Sequence, residues 1–569
     1  MTDTQTNPTE IVVIGKRRVP APVAYQLNAP ACFIDIYPFE GGRYSLPNAV
    51  NLDVSVSKSI RSPYGTFSIT LPPGGPQGPN GPLSWSQVIT PMSTVVIGMR
   101  RGDVSRIVMI GVITTPVERQ IWNTGSPVSR PITIQGRDMG HYFSMQTYLS
   151  LWFLGLVGAP LPANPSLVTG AIANDPALGP GIVSGRPDEI ATSWFKEIMG
   201  GTSGALSQTA VQYRGSKVTF PNFMGYVFEE FDADTPNLYG ELLLTTDETW
   251  YDKFEKILPF PWLEFFVITA PPNTYPAATG GTAFSTVGMG AGVTATPTAV
   301  GRVNPLPVLT AAAEGTAASF TGIDTSAWNK LTVYSQSGQG FLSSSVGFDE
   351  SLVLNYFSLV PTAFLGLYGQ SNANIVPFLV AYISAADQAS IERYGYRPAN
   401  GEFRWLADPS GVGAIQGNAN SAQFITNLMA RFCSQYGPEG LMARATVQIF
   451  LRPDIQPGQR FRYAPFKSGE PWDFYIESVT HNFQFGGTSS TSLQLTRGLP
   501  ASIYADDSNT GLLYNIHIGN AQRVDGVYTS GLPAGSHPPL KFFGPGGQLD
   551  FFAGLSKVYS TPQATQATP

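Results

Sequence analysis

The chain has 569 residues, a net charge of −6 and only 13% charged side chains, about half the ~25% usual for soluble domains. Two cysteines exclude a disulfide scaffold or a cysteine-based zinc site, and four histidines leave little for a histidine metal centre. The acidic balance and short basic runs (Lys16-Arg17-Arg18, Arg100-Arg101) exclude a general nucleic-acid binder.

With 60 Gly and 48 Pro the chain is turn-rich but folded, and a surface this poor in charge is expected to face other subunits. The pattern predicts a mainly β, α+β protein. Residues 1–24 read as a polar arm with one strand-like run, Ile11–Ile14, and no basic n-region of a signal peptide. From 25 to 145 the signals are those of a first antiparallel β-barrel domain. Strands are predicted at Ala31 to Tyr37 and over 51–60, where Leu52, Val54 and Val56 share a face. Another alternation holds Phe67, Ile69 and Leu71, and PPGGPQGPNGP at 72–82 is a loop. Strands at Thr94 to Met99, Arg106 to Thr114 and Pro131 to Gln135 complete the domain, with a turn over residues 100–103.

Residues 146–345 read as a mixed intervening domain. The apolar run from Tyr148 to Pro162 is too short for the roughly 18 residues of a membrane span, so none is expected. A helix is predicted over 188–199, with Ile190, Trp194 and Ile198 at helical spacing. A second has Thr246 as its cap, Trp250, Phe254, Ile257 and Leu258 as its apolar stripe, and Pro259 and Pro261 as its stop. Trp262 to Val267 reads as a buried strand. Residues 270–325, rich in Thr, Ala, Gly and Pro, read either as a floppy insertion or as a loop ordered by a neighbouring subunit. A second β domain spans 346–500, with a helix at 420–436, a strand from Arg444 to Leu451, and a hairpin of residues 474–485 and 491–496. Residues 501–569 are an extended C-terminal segment.

Two stretches share a layout. RIVMIGVITTPVERQ, a loop and PITIQGRD lie at 106–138; FYIESVTHNFQF, a loop and TSLQLTRG lie at 474–498. Each is a long strand, a loop and an alternating strand ending in Arg beside Gly (Gly136-Arg137, Arg497-Gly498). Each follows a short strand and a turn, VVIGMRRGD in one case and IQPGQRFRY in the other. The shared layout reads either as a duplicated unit or as a coincidence between β hairpins; if duplicated, a trimer of such chains would present six similar units around one axis.

The segment WDFYIESVTHNFQFGGTSSTSLQLTRG at 472–498, the preceding RPDIQPGQRF and DQASIERYGYRP at 387–398 resemble the second tube-like domain of baseplate hub proteins of contractile phage tails. MIGVITTPVERQ and ITIQGRDMGHYF resemble the first such domain. ETWYDKFEKILPFPWLEFFV at 248–267 resembles the helix–proline–strand element between them. The resemblance touches about half the chain. It implies two tail-tube-like β-barrel domains in a homotrimeric virion hub, a symmetry adaptor assembled in the host cytoplasm. That hub joins the six-fold tail tube ring to the three-fold central spike, contacts other baseplate proteins and surrounds a lumen that DNA traverses without specific binding.

No catalytic or cofactor constellation is expected. The densest acidic cluster, Glu229-Glu230 with Asp232 and Asp234, reads as a solvated loop, and Cys433 as a buried helix residue. His517 and His537 carry no companion ligand signature, and GMGAG at 288–292 lacks the strand and helix of a dinucleotide site. The remaining function class is a tail-tip protein with receptor-binding or wall-degrading activity. The candidate partner-binding residues are Phe542, Phe543, Phe551, Phe552 and Tyr559, aromatics in Gly/Pro loops that read either as docking on the spike or an adjacent subunit or as packing back on their own chain.

Overall fold

The computed structural model describes most of residues 29–118, 132–145, 183–199, 206–229, 248–311, 320–361, 383–403 and 442–502, with short strand pairs elsewhere between 11 and 529. The strands that matter here are, in chain order, β1 (Ala31–Tyr37), β2 (Tyr44–Pro47), β3 (Asp53–Ser59), β4 (Thr66–Leu71), β5 (Thr94–Arg101), β6 (Val104–Glu118) and β7 (Ile132–Asp138). Helix α1 (Pro187–Met199), β8 (Gly225–Phe228), helix α2 (Trp250–Ile257), β9 (Leu263–Ala270), β10 (Thr279–Gly280) and β11 (Thr296–Val303) follow. The last group is β12 (Val333–Ser335), β13 (Phe341–Gly347), β14 (Ala443–Phe450), β15 (Arg460–Tyr463), β16 (Trp472–Gln484) and β17 (Ser490–Pro500).

One 13-stranded sheet runs β13-β14-β17-β16-β3-β4-β7-β6-β5-β1-β2, with β15 on β16 and β12 on β15. Alternation carries it. Val54 and Val56 of β3, Phe67, Ile69 and Leu71 of β4, and Ile132 and Ile134 of β7 turn one face into a shared core. In β1 every residue is buried, because its two faces enter different cores. Cys32, Ile34 and Ile36 join β3 and β4, while Ala31, Phe33 and Tyr37 pack toward the intervening segment. The stretches predicted as two barrel domains thus share one continuous sheet, antiparallel except where β12 runs parallel to β15.

The intervening segment packs on it through aromatic rings. Phe254 of α2 stacks on Phe265 of β9 at 4.7 Å, and Phe143 and Phe195 lie at 5.8 and 6.2 Å. The helix cap differs from expectation. It is Thr249, not Thr246: the Thr249 hydroxyl accepts from the Asp252 N–H while the Asp252 carboxylate accepts from the Thr249 N–H, a closed capping box. Thr246 lies outside the described residues.

The described parts of the Thr/Ala/Gly/Pro-rich stretch 270–325 pack within their own chain, an outcome that differs from both the floppy insertion and the subunit-ordered loop expected from the sequence. It supplies β10 and β11 to a four-stranded sheet of order β9-β11-β8-β10. Six consecutive residues of β11 are buried in it. Small residues and threonines suit a strand covered on both faces, so low charge marks burial within the chain here. Near the N-terminus Ile11–Ile14 pairs with Arg17–Pro20, two strands where one was expected. The helix expected at 420–436 lies mostly outside the described residues, although Phe432 is helical and buried against Trp262 and Phe357.

Candidate functional site

The duplication is visible in the strand order. In the first unit, β3 to β7 are arranged β3-β4-β7-β6-β5; in the second, β13 to β17 are arranged β13-β14-β17-β16-β15. Numbered within each unit, both read 1-2-5-4-3, and all these neighbours are antiparallel.

The match extends to single hydrogen bonds. The third strand of each unit is entered by a proline turn, Ile89-Thr90-Pro91-Met92-Ser93 in the first and Ile455-Gln456-Pro457-Gly458-Gln459 in the second. Met92 and Gly458 both take the left-handed conformation, at φ 65° and 75°. The Met92 N–H donates to the Ile113 carbonyl at 2.7 Å, and the Ile113 N–H returns a bond to the Ser93 carbonyl at 2.9 Å. Likewise Gly458 N–H donates to Ile476 O at 2.8 Å, and Ile476 N–H to Gln459 O at 2.9 Å. The long fourth strand then bulges at the same place, between Ile113 and Thr115 and between Ile476 and Ser478. Ile113 therefore corresponds to Ile476. This corrects the sequence alignment, which set VVIGMRRGD against IQPGQRFRY and Gly136-Arg137 against Arg497-Gly498. The bulges place Gly136 with Leu495 and Asp138 with Arg497. The Ile-x-Pro turn was the overlooked signal.

The two units meet at a seam. Strand β3, first in its unit, pairs antiparallel with the outer half of β16, from Ser478↔Ser59 to Gln484↔Asp53. The Ile60 N–H donates to Glu477 O at 3.1 Å, and the Thr480 hydroxyl meets Ser57 Oγ at 3.0 Å. Phe483 of the second unit sits in the core of the first. Beside the seam, Lys58 Nζ lies 3.2 Å from Asp138 and donates to Thr269 Oγ1 at 2.9 Å. Burial pushes Lys58 down and Asp138 up, each opposed by the other's charge. His481, buried with Nδ1 2.9 Å from Thr491 Oγ1, is pushed down to about 4 by desolvation.

A buried arginine ties the intervening segment to this sheet. Arg302 of β11 donates through Nε to Glu264 of β9 at 3.0 Å, and through Nη2 to Gly458 O at 2.9 Å and Tyr475 Oη at 3.0 Å. The Tyr475 hydroxyl donates in turn to Glu264 at 2.9 Å. Arg302 thus grips the proline turn of the second unit, and sequence reading gave it no role. Its signal was a lone charge in an otherwise uncharged strand.

Phe542, Phe543, Phe551, Phe552 and Tyr559 lie outside the described residues, as do Cys433, His517, His537, Glu230, Asp232 and Asp234. Glu229 is described; its N–H donates to Gly301 O, and burial raises its carboxyl. Cys32 is buried, which pushes its thiol up. Among the described residues no group of three or more His, Cys, Asp and Glu could hold a metal, and no helix is long and apolar enough to cross a membrane.

No protein-family model and no curated protein matches the sequence. Among solved structures, the chain is similar to the tail protein from Neisseria meningitidis MC58, at 12% identity and TM-score 0.41, over 82% of this chain and 96% of that one. It is similar to the 43 kDa tail protein of prophage MuSo2 from Shewanella oneidensis, at 9% identity and TM-score 0.39, over 82% and 98%. It is also similar to an Escherichia coli component of the type VI secretion system, at 7% identity and TM-score 0.33, over 80% and 74%.

Proposed function

We propose that the protein is a structural baseplate hub of a phage tail, a homotrimer whose six matched units form a ring. The observation that carries this reading is the repetition of one five-strand unit, down to its proline turn and bulge, within one continuous sheet. Two copies of a unit in one chain let three chains match a six-fold partner on one side and a three-fold partner on the other. The tail tube ring is the six-fold partner and the central spike the three-fold one. Other baseplate proteins pack outside, and DNA passes through the ring. The low charge agrees with a surface covered by neighbours. The role is mechanical rather than enzymatic, and its place is the virion baseplate, after assembly in the host cytoplasm. The C-terminal aromatics Phe542, Phe543, Phe551, Phe552 and Tyr559 serve this assembly by docking on the spike or a neighbouring subunit. Light scattering on the purified chain, alone and with its spike, tests the reading. The expected mass is three chains; a monomer in both conditions would overturn it.

A further inference from the structure

The internal seam is a template for a contact that, among the described residues, the single chain leaves unmade. In it, the first strand of one unit (β3) lies on the outer half of the fourth strand of the other (β16). The corresponding surfaces are open at the opposite ends of the arrangement. The first strand of the second unit, β13, ends the sheet among the described residues. Beyond its bulge, β6 carries β7 on one side and, among the described residues, no strand on the other.

We propose that β13 of one chain pairs antiparallel with the outer end of β6 of a second copy, repeating the internal seam between chains. The register follows from the matched bulges and from the pairing of each first strand with its second. Ser478 corresponds to Thr115, and Val56 to Val346, since Val56 faces Phe67 as Val346 faces Ala445. Val346, Gly347, Phe348 and Asp349 of one chain then lie opposite Glu118, Val117, Pro116 and Thr115 of the other.

Three observations favour a second copy as the occupant. Strand β13, FLSSSVG, has neither charge nor proline, the usual guards of a free edge. Both open edges hold exposed apolar side chains: Val117 at 40%, Leu342 at 37% and Phe348 at 54%. Val117 and Phe348 each find a counterpart in the proposed register. Val117 falls opposite Gly347, which has open space where a side chain would go. Phe348 falls opposite Pro116, which has no N–H for a ladder but offers a ring for apolar contact. Phe348 replaces Lys58 at this position, so the seam between chains is sealed by an apolar contact where the internal seam has its ion pair. That three copies close the ring rests on the hub reading; the strand contact does not.

The test is a Val117→Cys, Gly347→Cys double variant of the full chain, treated with a short bis-maleimide, beside each single variant. Covalent ladders ending at three chains in the double variant, and their absence from both single variants, are expected. Trimers by light scattering with no cross-link beyond that of the single variants would overturn the proposal while leaving the hub reading intact. A persistent monomer would overturn both. Separately, Phe348→Asp should weaken self-association at least tenfold in a dilution series; unchanged association would refute the contact.

Discussion

Gly458→Ala probes the matched proline turns at the point where the second also holds Arg302. Gly458 has φ 75°, a conformation that costs an L-residue about 1 kcal/mol. The added Cβ would stand 2.8 Å from Arg302 Nη2 and 3.4 Å from Ile60 Cγ2. The guanidinium must then move, and its bonds to Gly458 O and Tyr475 Oη are at stake. A charge-assisted bond of this kind contributes about 1.5–3 kcal/mol. Together the substitution should cost about 2.5–4 kcal/mol. At the equivalent site, Met92 already bears the left-handed strain and is only partly buried. Met92→Gly should relieve about 1 kcal/mol of strain against a similar loss of packing, ending near wild type. Urea unfolding followed by tryptophan fluorescence compares the two. If Gly458→Ala unfolds within about 0.5 kcal/mol of wild type, the Arg302 clamp assigned to this turn is wrong.

Three further outcomes are expected. Thr249→Ala opens the capping box of α2 and should lower stability by about 1 kcal/mol, measured by the same unfolding assay, whereas Thr246→Ala should leave it unchanged. Phe483→Ala removes a second-unit ring from the first unit's core; a loss of about 3–5 kcal/mol is expected, and a change below about 1 would mean that the seam is not packed. His481 titrates near 4 in the folded chain against 6.5 unfolded. The unfolded chain therefore binds the proton first, and up to about 3 kcal/mol of stability is lost as pH falls from 6.5 toward 4. His481→Gln should flatten that dependence, and an unaltered pH profile would assign it to other groups.

Much of the architecture was legible because alternation and turns are local. Val54, Val56, Phe67, Ile69 and Leu71 announce their strands, and α1 and α2 follow from apolar spacing. What was not legible depends on partners distant in sequence. Strand β11 looked like an insertion because its paired residues on β9 and β8 lie 26 to 73 positions upstream, from Ala270↔Thr296 to Gly225↔Thr298, and burial on both faces removes alternation. The cap of α2 was misplaced by three residues because Thr246 and Thr249 offer the same hydroxyl, and only the reach to Asp252 decides. The repeated unit was glimpsed through its long strands but aligned wrongly, since one-residue bulges are silent in composition. The Ile-x-Pro turns preserve the true register. The Lys58–Asp138 pair joins residues 80 apart, and Arg302 grips a turn 156 residues away, so neither carries a local pattern.

The central claim is that a ring is built from repeated units, two per chain. Electron-microscopy averages of the assembled protein viewed down its axis test this most directly. Six similar lobes around an open channel, contributed by three chains, are predicted. Three lobes, or particles without a channel, would contradict the account.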